Sequence, residues 1–192
     1  EESLCEAASL LQEGSTPAVV VGAGDESCPS VFSPCWVQGE DAPRDTARAH
    51  EGSGGVATDE GCGFVVLQDL QEAREAGRRP RALITALERA DSVAGALERA
   101  TTRAGSVQAA VVPAGLNRRM DETTASTVSE RLGDHVRLLS EGDCCGYVPA
   151  SGIIRCVLGV DLVTLGMERV LVVGKDLDGH GAVAVIERCE DD

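Results

Sequence analysis

The chain has 192 residues, a formal net charge of −15 and 43% hydrophobic residues, enough apolar material for one domain with a real core and too much for a disordered segment. Lys and Arg together number 17 against 32 Asp and Glu, and Lys175 is the single lysine. That acidic excess repels phosphate backbones and anionic lipid, so neither nucleic acid nor a membrane is expected as a partner.

In chain order, residues 4–12 place Ala7, Ala8, Leu10 and Leu11 in a helical segment closed by Gly14. Residues 17–22 read as a buried strand ending in Gly-Ala-Gly. Residues 25–58 are rich in Gly, Ser, Pro and Asp and lack periodicity, which predicts a long loop bearing Phe32, Cys35 and Trp36. A loop of that length in a compact domain is usually functional or packs on a partner, so Phe32 and Trp36 are candidate partner contacts. Strands are expected at 62–68 and 81–87, joined by a basic surface segment that reaches Gly77. Asp91-Ser92 can cap a helix over 93–103. The spacing then predicts a strand at 107–112 stopped by Pro113, a helix at 121–132 and a short strand near 136–139. A Cys- and Gly-rich loop leads to a helix over 151–165, and strands at 169–173 and 181–187 flank a Gly-rich turn.

The eight cysteines, at 5, 28, 35, 62, 144, 145, 156 and 189, are irregularly spaced in a large domain, which predicts reduced thiols packed as small hydrophobes in a cytoplasm. The three histidines, at 50, 135 and 180, form no Cys-x2-Cys or His-x3-His pattern, so no metal is expected. Val19 to Asp25 imitates the opening of a dinucleotide fingerprint but lacks its third glycine, and no cofactor is expected.

The stretch Asp59-Glu-Gly-Cys-Gly-Phe-Val-Val-Leu-Gln-Asp-Leu70, followed by Ala73, Ala76-Gly77 and Arg81-Ala-Leu-Ile84, resembles the middle of the β-ketoacyl synthase family. There an EGAG turn enters a VLE-L--A---G run. The resemblance implies an α/β, thiolase-like (ketosynthase-type) layered fold with one complete C-terminal half and a truncated N-terminal half. Residues 1–80 would be the N-terminal remnant, with loop 25–58, and residues 81–192 the C-terminal half, packed as one compact unit. Strands 18–23 and 62–68 would then keep an unpaired edge and bare apolar surface, an aggregation hazard unless something covers them.

Condensing ketosynthases use a Cys nucleophile at a helix N-terminus and two His that assist decarboxylation and stabilise the enolate. Matching Glu6 to Gly14 with the family's EAARAIRAG puts that Cys ahead of Glu1 and leaves Cys5 inside the helix. The family's AHGT, which follows a strand, matches the segment Val111-Val-Pro-Ala-Gly115, so Ala114 holds the first His position. GHTEAASG falls on 146–152, so Tyr147 holds the second. Neither can act as an imidazolium donor, and no catalytic residue is assigned.

Cys144 and Cys145, with Tyr147, are the candidate acyl-pocket residues, and idle thiols are the plainer reading of the two cysteines. Arg74, Arg78, Arg79 and Arg81, and Arg118-Arg119, could meet phosphopantetheine or an acyl carrier protein, or could be solvated charge. The resemblance therefore implies a non-catalytic, chain-length-factor-type subunit that pairs with a catalytic ketosynthase and encounters an acyl carrier protein. A fragment of an active synthase and a free-standing acyl-binding module are the alternatives.

Overall fold

A computed structural model describes residues 2–25, 61–113, 118–141, 151–176 and 178–189. Its elements are helix α1 (Glu2–Gln12), strands β1 (Ala18–Asp25) and β2 (Gly61–Gln68), helix α2 (Leu70–Glu75) and strand β3 (Ala82–Ala90). Helix α3 (Val93–Ala104), strand β4 (Ala109–Val112), helix α4 (Arg118–Leu132) and strand β5 (Arg137–Ser140) follow. Helix α5 (Ser151–Thr164) and strands β6 (Arg169–Lys175) and β7 (Gly181–Arg188) complete the order. Phe32, Trp36, Ala114, Cys144, Cys145 and Tyr147 all lie outside the described residues.

Five strands form one sheet in the order β3-β7-β6-β4-β5. β4 runs parallel to β5 and β6, while β7 runs antiparallel to both β6 and β3. β1 and β2 form a separate antiparallel ribbon, with Val20 opposite Val66 and Gly22 opposite Phe64.

Small side chains set the packing. On α3, Val93, Ala96, Leu97, Ala100 and Ala104 share one face and are all buried, the spacing of an amphipathic helix. Ser92 caps that helix by accepting a hydrogen bond from the Gly95 N–H at 3.2 Å. Together with Val128 of α4 this face covers Ala110, Val112, Leu171, Val173, Val183 and Val185 on one side of the large sheet. The opposite side, Ala109, Val111, Val170, Val172, Ala184 and Ile186, packs on Ile153, Cys156 and Val163 of α5, with Leu4 and Ala7 of α1 and Val21 of β1 in the same cluster. Each fully buried Leu or Val contributes about 2 kcal/mol. Helices α1 and α5 thus lie between the large sheet and the ribbon.

Several elements differ from the sequence expectation: β1 continues to Asp25 rather than ending at residue 22, and α4 begins at Arg118 rather than at residue 121. The segment after β2 contains α2, whose six residues bury only Ala73 and are nucleated by Asp69, the side chain of which accepts from the Gln71 and Glu72 N–H groups. Strand β3 continues to Ala90 rather than stopping at residue 87. The charged Glu88 inside it is held by Arg103 of α3 at 2.9 Å, which lets a polar residue remain in a paired strand.

Candidate functional site

In a parallel array, strands β4, β5 and β6 all end on the same edge, where open α/β sheets bind ligands. Register pairs Val112 with Ser140 and Val111 with Val172, so the chain leaves the sheet at Pro113, Glu141 and Asp176 from neighbouring positions. β3, antiparallel to β7, ends on the same edge, with Ala90 opposite Gly181. The described part of the candidate site is therefore Asp91-Ser92, Pro113, Glu141, the first turns of α5 and the turn between β6 and β7. Ala114 follows Pro113 in the chain, and Cys144, Cys145 and Tyr147 lie between Glu141 and α5.

Glu141 and Arg155 form a buried ion pair. Arg155 Nη1 donates to Glu141 Oε1 at 2.5 Å, and the two side chains are 5% and 1% exposed. Arg155 is the only charged residue in the first ten of α5, Ser-Gly-Ile-Ile-Arg-Cys-Val-Leu-Gly-Val, so burial of the helix's apolar face takes its charge out of water. Such a charge is tolerated only when paired. This pair went unrecognised in the sequence; the signal was a single Arg in an otherwise apolar helical run.

The turn between β6 and β7 holds a second pair. His180 Nδ1 lies 2.8 Å from Asp176 Oδ2, and the His180 N–H donates to Asp176 Oδ1, also at 2.8 Å. The Asp176 hydrogen bond and its charge raise the His180 pKa above its ordinary value, with smaller contributions from Asp91 and Asp178. Slight desolvation opposes ionisation of Asp176, but the hydrogen bonds from His180 outweigh it and hold that carboxyl below its ordinary value. Asp176, Asp178 and His180 bring potential ligand atoms within 4.8 Å of one another, all exposed. A cation there would have to displace the His180 proton that Asp176 stabilises.

Gly181 fixes where that turn sits. A side chain at this position would meet Val93 Cα at 2.5 Å and Ser92 O at 2.7 Å, so β7 begins directly against the capped start of α3. The basic segment near α2 is partly engaged: Arg78 donates to Gln68 at 2.6 Å, and Arg81 lies 3.4 Å from Asp161 with both side chains exposed. The side chains of Arg118 and Arg119 lie outside the description. Cys5 is half-buried in α1, as expected of a packing thiol.

With this geometry in hand, solved structures identify the architecture. A ketosynthase described in complex with a type II acyl-carrier protein superposes on 98% of this chain with a TM-score of 0.83 at 14% identity. The fold is ketosynthase-type and thiolase-like. A structure described as the ishigamide ketosynthase/chain length factor matches 97% of the chain with a TM-score of 0.81 at 16% identity. A β-ketoacyl synthase from Burkholderia phymatum STM815 matches 98% with a TM-score of 0.79 at 14% identity. The chain spans about 60% of the length of these ketosynthases, with 60%, 58% and 59% of the three covered. No protein-family profile matches the sequence, and neither does any curated protein. Among the described residues no helix is long and apolar enough to cross a membrane.

Proposed function

We propose that this protein is a non-catalytic ketosynthase-like subunit of the chain-length-factor type, paired with an active ketosynthase in type II polyketide, polyene or fatty-acid-like biosynthesis in a bacterial cytoplasm. One observation carries the reading. The ketosynthase-type fold extends over 98% of the chain, while the positions matching the family's two catalytic His read Ala114 and Tyr147. The scaffold persists and the proton-handling groups do not. On this reading the partner supplies the Cys and His, and this chain supports the dimer and lines part of the acyl pocket through Cys144, Cys145 and Tyr147. An acyl carrier protein would meet the pair through its phosphopantetheine arm, and Phe32 and Trp36 contribute to the subunit contact. Residues 1–80 act as the remnant half and residues 81–192 as the complete one.

Reconstitution tests this. The chain alone, given acyl- and malonyl-loaded carrier protein, is expected to release no condensation product by mass spectrometry. Added to a catalytic type II ketosynthase, it should form a one-to-one complex and shift the product length. Condensation by the isolated chain would overturn the reading in favour of an active synthase fragment. Acyl transfer to Cys144 or Cys145 without any ketosynthase would favour an acyl-binding module.

A further inference from the structure

We draw no further inference here: the strongest candidate, the apolar outer face of the β1–β2 ribbon with Val20, Phe64 and Val66 each 66% exposed, carries nothing, because nothing in the structure shows what covers it.

Discussion

The two helix-strand-strand units, α1-β1-β2 and α5-β6-β7, share an order and differ in enclosure, and the difference shows which part of each is set by its own sequence. β6 is Arg-Val-Leu-Val-Val-Gly-Lys with its middle five residues buried, a continuous apolar run of the kind found in strands covered on both faces. β2 is Gly-Cys-Gly-Phe-Val-Val-Leu-Gln with burial that alternates residue by residue. Yet its open positions hold Cys, Phe and Val rather than polar side chains. The sequence of β2 is written for cover on both faces, and the described structure supplies one. Substitutions in the closed unit should therefore be costly and those in the open unit nearly silent until the outer face is occupied.

The largest effect is expected at the buried charge on α5, for which α1 has no equivalent. Arg155→Leu leaves Glu141, 0% exposed, without its guanidinium in a site water does not reach. Breaking a buried ion pair from one side costs about 4 kcal/mol, measurable as a fall in urea midpoint at unchanged slope. The double variant Arg155→Leu with Glu141→Leu should recover much of that loss, because neither charge then remains buried. A single-site loss below about 1 kcal/mol would mean that the pair is solvated.

Next comes packing. Leu171→Ala in β6, at a residue with no exposure, should cost about 3 kcal/mol through lost contacts and the cavity left behind. Val66→Ala in β2 should change stability by less than about 0.5 kcal/mol in the isolated protein. If a partner covers the ribbon, Val66→Ala acquires a cost that appears only in the complex. Equal costs in the free protein would mean that the ribbon face is already covered.

Glycines sharpen the same contrast. A methyl at Gly181 meets the backbone of Val93 and Ser92, which cannot give way without shifting the start of α3. Gly181→Ala should thus destabilise by about 2 kcal/mol. The three atoms nearest a methyl at Gly22 all belong to the Phe64 ring, which is largely exposed and can swing aside, so Gly22→Ala should be close to neutral by thermal melting. The difference between the two melting shifts measures how far the ribbon differs from the enclosed strands.

Much of the fold was legible because it is periodic. From residue 81 onward the alternation of apolar runs and helical repeats reproduces the observed order β3-α3-β4-α4-β5-α5-β6-β7. The turn residues Gly77, Gly105 and Gly133, all at positive φ, mark element ends. Helix α2 was not legible, since six residues burying one Ala produce no repeat, and only the Asp69 cap betrayed it. The end of β3 was hidden because Glu88 looks solvent-facing until Arg103, on the next helix, is placed beside it. The resemblance put the site at Ala114 and Tyr147, both outside the described residues, and the groups that organise its described edge were not legible. Arg155 pairs with Glu141 fourteen residues earlier in the chain, and that pairing depends on the fold rather than on spacing. Asp176 and His180 were closer to hand, being four residues apart around a Gly-containing turn.

That turn gives the smallest expected effect and the only one governed by pH. It joins the enclosed strands, whereas residues 26–60, which join the open ones, lie outside the description. His180 is raised above its unfolded value of 6.5 chiefly by the Asp176 hydrogen bond. Its contribution is therefore complete below about 6.5 and is lost as pH rises through the higher folded value. Asp176 is lowered below 3.8, so its contribution is present above that value and is lost as pH falls through the lower folded one. Both hold together in mildly acidic solution, and the side chains are about half exposed, so salt should weaken the pair. In an NMR titration the His180 ring is expected to titrate above 6.5, and Asp176→Asn should bring it down toward that value. A His180 midpoint unmoved by Asp176→Asn would show that the hydrogen bond does not persist in solution. The β6–β7 turn would then be held by its backbone hydrogen bonds, from the Asp176 N–H to His180 O and from the Gly179 N–H to Asp176 O, and by Gly181 against α3.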